Sequence, residues 1–198
     1  MIGLLPDTLA IDNREYSIRS DYRNVLQILE AFNDAELTVE EKWIVAIYMI
    51  FKDFSCADDV VEAFQNGFDL EESIKQISWF ISAGKKGRNE KESPVYDWIQ
   101  DEQMIFSSIN HVAGKEVREL EYMHWWTFLG YFNEIGEGTF SYIVGIRNKL
   151  NKGKKLDKHE IEFYRKNKDL VKITPPKTEE ELRQEEENNA LVNEILGL

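Results

Sequence analysis

Apolar residues recur at helical spacing along most of the chain and alternate only near its start. Thr8-Leu-Ala-Ile11 and Tyr16-Ser-Ile18 flank the polar turn Asp12-Asn-Arg-Glu15, the pattern of a β-hairpin. A hairpin this short is marginal alone and is predicted to lie against helices. Ser20 or Asp21 then caps a helix carrying Val25, Leu26, Ile28, Leu29 and Phe32. Thr38-Val-Glu-Glu41 is a capping box, in which hydroxyl and carboxylate each satisfy a free N–H at the helix start. The helix it opens, through Phe51, is apolar over most of its surface and is expected to be central. Ser55 is the expected cap of a short helix to Asn66, with Gly67 as its stop. Asp69, with Glu72 three residues on, opens the next helix, ending near Gly84.

The polar run Lys85-Lys-Gly-Arg-Asn-Glu-Lys-Glu-Ser93 marks the internal boundary. Ser93-Pro94 reads as an N-cap and first helical residue. The predicted helix runs to Val112, carries Trp98, Ile99, Ile105, Phe106 and Ile109, and stops at Gly114. A helix dense in aromatics is expected from about Leu120 to Ile135, and Gly136-Glu-Gly138 breaks the chain after it. Thr139 caps another helix to about Leu150, and Asp157-Lys-His-Glu160 starts one to Asn167. Pro175-Pro176 closes the ordered part, and Thr178-Glu-Glu-Glu181 is a further helix start.

The pattern predicts a mainly α protein. It is a compact multi-helix bundle with a short N-terminal β-hairpin and an acidic C-terminal tail, helical or disordered. Residues 1–84 form a hairpin plus helical half and 85–93 the polar loop. Residues 94–174 are a second helical half packed with the first as one domain, and 175–198 are the tail. There is no repeat of fixed period and no sustained heptad.

The chain has 198 residues, 42% hydrophobic and 12% aromatic, enough apolar material for a packed interior. Its formal net charge of -13 repels phosphate backbones and disfavours nucleic acid as a partner of the whole chain. A single cysteine, Cys56, makes no intrachain disulfide and is read as a small buried apolar residue in a reducing compartment. The start lacks the basic region of a signal peptide. The most apolar stretch, Trp43 to Phe51, is far shorter than a membrane span. These features predict a soluble cytoplasmic protein with no membrane association.

No catalytic constellation is complete, so no enzyme activity, cofactor or metal is expected. Glu121-Tyr-Met-His124 has the Glu-x-x-His spacing of a di-iron helix, but that site needs a second copy and two more carboxylates. His159-Glu-Ile-Glu162 lacks the second histidine of a zinc-protease helix. Gly84-Lys-Lys-Gly87 lacks the spacing of a phosphate-binding loop, and no Gly-x-Ser-x-Gly elbow occurs.

Three features point to binding instead. The first is the aromatic run around Trp125, Trp126 and Phe128. It is either a core helix or a helix that turns one tryptophan outwards as an interface anchor. Adjacent tryptophans sit about 100° apart on a helix, so both are buried only if the helix is widely covered. The second is the basic stretch from Arg147 through Lys149, Lys152, Lys154, Lys155 and Lys158 to Lys172. It carries +6 over residues 147–172. It is a solvated face, or it meets an acidic partner surface such as another copy of the chain. RNA is a third option, weakened because no aromatic residues interleave Lys149 to Lys158. The third is the tail, which carries -5 over residues 177–198 and ends in the apolar cluster Leu191, Val192, Ile195 and Leu196. It is a frayed end or an amphipathic helix that docks on a neighbour, and its charge opposite the basic stretch favours self-association into a homo-oligomer.

Trp125-Trp126-x-Phe128, then Ile143-Val-Gly-Ile-Arg147, then Lys152-Gly-Lys-Lys-Leu-Asp-Lys-His-Glu160 and Phe163-Tyr-Arg-Lys-Asn167, follow in an order with a known counterpart. It resembles a family of small phage and prophage proteins encoded in the tail-gene clusters of siphophages of Gram-positive bacteria. The hairpin and acidic helical first half fit the same family, and the resemblance covers most of residues 1–173. It implies a tail assembly chaperone: an acidic helical protein, absent from the finished virion, that binds the tape measure protein before the tail tube polymerises around it. It implies no catalytic residues. Trp125, Trp126 and Arg147 match the motif, in a role that the resemblance leaves as either binding or structural. A connector-type structural component of a particle, and a regulatory nucleic-acid binder using residues 147–172, are the alternatives.

Overall fold

The hairpin and helices follow from local caps and turns, and long-range backbone contacts then set where one of the helices begins. The computed structural model describes residues 3–85 and 93–184. Strands β1 (Thr8–Ile11) and β2 (Arg14–Ser17) pair antiparallel, with Leu9 opposite Tyr16 and Ile11 opposite Arg14. The connecting turn is tighter than the expected four residues. Asp12 and Asn13 alone form it, at φ 50° and 62°, the left-handed geometry that Asp and Asn tolerate and a two-residue hairpin requires. Leu9 and Ile11 point into the core, which supplies the support that the short hairpin needs.

Four helices follow: α1 (Tyr22–Asn33), α2 (Val39–Ile50), α3 (Ala57–Gln65) and α4 (Leu70–Ile81). Asp21 caps α1 by accepting the Arg23 N–H. Both halves of the Thr38–Glu41 capping box are formed. Asp69 caps α4 through the Glu72 N–H. Helix α2 packs on α1, α3 and α4, the central place its apolar surface predicts. Its last carbonyls are held by Arg19, whose guanidinium donates to the oxygens of Tyr48, Phe51 and Phe54. At α3 the expected Ser55 cap is replaced. Cys56 occupies the N-cap position without a side-chain bond, and the Ser55 N–H instead donates to the Asp59 carboxylate. Gly67, at φ 92°, ends that segment as predicted.

The second half holds α5 (Glu102–Ala113), a 3-10 turn at Val117–Glu119, α6 (Trp125–Asn133), α7 (Thr139–Asn151), α8 (Lys158–Lys166) and α9 (Lys168–Val171). Two starts differ from the sequence expectation. Helix α5 begins at Glu102 rather than Pro94. The preceding turn is organised by Asp97, whose carboxylate accepts the N–H groups of Ile99 and Gln100, and by Asp101, which accepts the Asp97 N–H. Helix α6 begins at Trp125 rather than Leu120, with His124 as its N-cap. Residues before it run extended because they bond to the segment ahead of α1: Tyr22 N–H donates to the Met123 oxygen and Trp125 N–H to that of Ser20. Thr139 is the first residue of α7 and not its cap, a place taken by Gly138. Asp157 and Glu160 form the predicted capping box of α8. After Pro175-Pro176, Thr178 and Glu181 form a reciprocal box, and residues 179–184 are helical.

One apolar cluster includes residues from both halves. It runs from Leu9 and Ile11 through Val25, Ile47, Ile77 and Phe80 to Ile105, Ile109, Trp125 and Phe128. Tyr22 and Phe128 stack at its centre, with ring centroids 4.4 Å apart and planes 2° from parallel. The protein is mainly helical, with its two strands confined to the N-terminal hairpin among the described residues. No helix among those residues is long and apolar enough to cross a membrane.

Candidate interaction surface

The aromatic helix is mostly interior. Trp125 and Phe128 are buried, and Trp126 is half-buried. Both indoles close the end of α4. Trp125 Nε1–H donates to the Ile81 oxygen and Trp126 Nε1–H to the Phe80 oxygen, each at 2.8 Å. The last carbonyls of a helix have no partner within it, and here the paired tryptophans supply them. This explains why two adjacent indoles about 100° apart both find cover: the end of α4 spans the angle between them. His124 fixes the start of α6, its Nδ1 accepting the Trp126 N–H while its Nε2 donates to the Pro6 oxygen. The imidazole therefore caps α6 with both of its ring nitrogens engaged. Among the described residues no group of three or more His, Cys, Asp or Glu is placed to hold a metal ion.

The outward-facing tryptophan is not in the Trp125-Trp126 pair. Trp79, on α4, is 43% exposed and meets Trp126 edge-on at 5.2 Å. Its place in the helical pattern of α4, two residues from the buried Ile77, is the signal that marks it as outward.

Arg147 is also interior, and it is the most densely bonded side chain of the second half. Nε donates to the Val171 oxygen at 2.7 Å. One terminal nitrogen donates to Asp101 Oδ2 at 2.5 Å and to the Val95 oxygen at 3.2 Å. The other donates to Asp101 Oδ1 at 2.9 Å and to the Leu170 oxygen at 2.8 Å. All five guanidinium N–H groups are thereby used. The residue ties α7 to the 95–101 turn and to α9, and leaves no donor for a partner. Asp101 was not singled out in the sequence. Its spacing shows it in retrospect: it lies three residues after Trp98 and four before Ile105, on the apolar face, where an acid needs a cation.

The lysines after Arg147 behave differently. Lys149 pairs with Glu160, which is itself largely buried, and this contact pins α8 to α7. The pairing raises the Lys149 ammonium above its ordinary value, first through the Glu160 hydrogen bond. Tyr142 and Phe163 meet edge-on at 5.0 Å one step further along the same pair of helices. Lys152, Lys154, Lys155 and Lys158 are exposed and make no ion pair among the described residues. Thus the sequence-named residues divide. Trp125, Phe128 and Arg147 hold the fold together, Trp126 and Lys149 lie half-exposed, and Lys152, Lys154 and Lys155 between α7 and α8, with Lys158 at the start of α8, form an exposed cationic turn. Leu191, Val192, Ile195 and Leu196 lie outside the described residues.

Cys56 is exposed, which corrects the buried role expected of it. The position before α3 faces solvent because the apolar side of that helix is set by Val60, Ala63 and Phe64.

No curated protein and no solved structure matches the chain. A family model does match it, over residues 1–173, the part of the chain that ends just before Pro175-Pro176 and includes the tryptophan clamp, the Arg147 junction and the lysine turn. The chain belongs to the Bacteriophage Gp15 protein family.

Proposed function

We propose that the protein is a phage tail assembly chaperone. It self-associates and binds the tape measure protein in the host cytoplasm before the tail tube polymerises, and it acts by binding and not by catalysis. The observation that carries this reading is the match of residues 1–173 to a bacteriophage protein family. The finer step, from phage protein to tail chaperone, is supported by the order of the Trp125-Trp126-x-Phe128, Ile143 to Arg147 and lysine-rich segments, which resembles proteins of tail-gene clusters.

The physics of the surface fits the task. A tape measure protein is a long helical chain whose apolar stripes need cover before assembly. Many weak contacts repeated by a self-associating protein give avidity without a deep pocket. A net charge of -13 keeps such a complex soluble. The exposed Trp79 beside the half-exposed Trp126 offers an aromatic contact of the kind that dominates protein interfaces. Co-expression with a tape measure protein from the same phage, followed by capture on an affinity tag, tests the reading. Co-capture with a gain in soluble tape measure protein supports it. No complex and no gain in solubility contradict it.

A further inference from the structure

The turn between α7 and α8 is fixed at both ends. Gly153, at φ 61°, and the Lys154 N–H, which donates to the Lys149 oxygen at 2.8 Å, close α7 with a left-handed stop. The Asp157 cap then opens α8. Lys152, Lys154, Lys155 and Lys158 are thereby held near one another, exposed, and without an ion pair among the described residues. Like charges held together repel, and an anionic surface relieves that cost. Exposed Leu150 and Ile161 lie on the two flanking helices, so the face is cationic with aliphatic edges.

A face of the opposite sign lies in the first half of the chain. Residues 53–72 hold seven Asp or Glu and no Lys or Arg. Helix α3 runs through this block. Val60, Ala63 and Phe64 turn to the core, so Asp58, Val61, Glu62 and Gln65, spaced i, i+3, i+4 and i+7, share the outward stripe. All four are exposed, and Asp58 and Glu62 make no ion pair among the described residues. The other acid-rich stretch, residues 34–41, is already engaged: Asp34, Glu36 and Glu41 each accept a backbone N–H. Within one copy the two charged faces stay apart. Helix α3 packs on α2, α8 packs on α9 and is pinned to α7, and the ion pairs of the acidic block are Asp53 with Arg14 and Glu71 with Lys75.

We propose that the lysine turn of one copy, Lys152 to Lys158, docks on the outward stripe of α3, Asp58 to Gln65, of a second copy. Every copy presents both faces in equal amount, and each face joins one sign of charge to exposed aliphatic carbon. Opposite charges steer the encounter, and the aliphatic groups are covered on contact. Because the two faces differ, the contact is head-to-tail and repeats from copy to copy into a ring or a filament. An array of that kind lets a protein coat a long partner through many weak contacts. The contact rests on the self-association within the function proposed above and names the surfaces that make it.

Sedimentation of the full chain by itself tests the contact, and capture of the tape measure protein is scored separately as the test of the function. The turn variant carries Lys152→Glu, Lys154→Glu, Lys155→Glu and Lys158→Glu. The α3 variant carries Asp58→Lys, Glu62→Lys and Gln65→Lys. A third variant, Glu185→Lys, Glu186→Lys and Glu187→Lys, asks whether the chain's own C-terminal acids occupy the turn instead. Circular dichroism checks that all keep their helix content, and Lys154→Ala with Lys155→Ala gives a milder change at the same turn. Wild type is expected to associate, more weakly as salt is raised. The turn and α3 variants alone are each expected to associate at least about ten-fold more weakly, a change of about 1.4 kcal/mol. The double alanine variant is expected to weaken association about three-fold, as exposed ion pairs do. An equimolar mixture of the turn and α3 variants is expected to recover association, because reversed face then meets reversed face and native meets native. The C-terminal variant is expected to stay within about three-fold of wild type, since charges away from the contact are screened. Several results overturn the proposal: a wild-type chain that stays monomeric, turn or α3 variants that associate as wild type does, or a mixture that fails to recover. So do a ten-fold loss in the C-terminal variant, which hands the turn to that segment, and loss of association on nuclease treatment, which hands it to RNA.

Discussion

The Arg147 guanidinium grips the Asp101 carboxylate through both of its terminal nitrogens, with the two side chains 3% and 0% exposed. Three backbone oxygens, from Val95, Leu170 and Val171, take the remaining N–H groups. A buried pair of this kind is costly to break from one side, because the survivor is left as an uncompensated charge. Arg147→Ala or Asp101→Ala is therefore expected to destabilise the fold by about 3–5 kcal/mol in urea unfolding. Arg147→Lys is expected to rescue little, since an ammonium lacks the planar fork that reaches both oxygens and the carbonyls together. The double variant Asp101→Leu with Arg147→Met is expected to lie closer to wild type than either single change.

The tryptophan clamp predicts unequal costs for neighbouring residues. Trp125 is buried in the core and Trp126 only half-covered, yet each donates one hydrogen bond to the end of α4. Trp125→Ala is expected to cost about 3–5 kcal/mol through the cavity it leaves. Trp126→Phe keeps most of the ring contact and loses the N–H, so it is expected to cost about 1 kcal/mol. Chemical denaturation of the two variants, side by side, checks the order. Equal costs contradict the placement of Trp126 at the edge.

Thr38 gives a local control. Its hydroxyl accepts the Glu41 N–H, and the Glu41 carboxylate accepts the Thr38 N–H in return. Thr38→Ala is expected to cost about 1 kcal/mol without altering self-association, as measured by thermal unfolding and sedimentation.

Glu116 predicts a pH dependence. The Arg118 side chain, and then the Arg118 N–H and the Asn110 amide, hold its carboxyl down at about 2, well below the usual carboxylate range. A carboxylate held down in the folded state contributes stability that is present above its unfolded value and lost as pH falls through the folded one. The stability gap between wild type and Glu116→Gln is therefore expected to be constant above about pH 5 and to close between there and about pH 2. Unfolding titrations across that window measure it. A gap that widens on acidification contradicts the assignment.

Much of the helical architecture was legible in the sequence because its signals are local. The Thr38 and Asp157 boxes, the Asp69 cap and the Gly67 stop each act within one turn, and each appears where the pattern puts it. The misplaced starts of α5 and α6 have non-local causes. Residues 94–101 are helix-compatible but are drawn into the Asp97 turn and the Arg147 junction. Residues 121–124 give up helix to bond with residues 20–22, about a hundred positions away in the chain. The same limit applied to the surface. Charge and aromatic content marked the right segments, but which tryptophan faces out depends on where α4 ends. Which cation of the basic stretch is buried depends on Asp101, an acid that one-dimensional pattern alone leaves among thirty-six others.

The proposed chaperone function requires that the protein serve tail assembly without remaining in the product. Mass spectrometry of infected-cell lysate and of purified particles from the same culture tests it most directly. The chain is expected in the lysate, bound to the tape measure protein, and absent from the particles. A fixed number of copies per particle would contradict it and make the protein a structural component of the tail or connector.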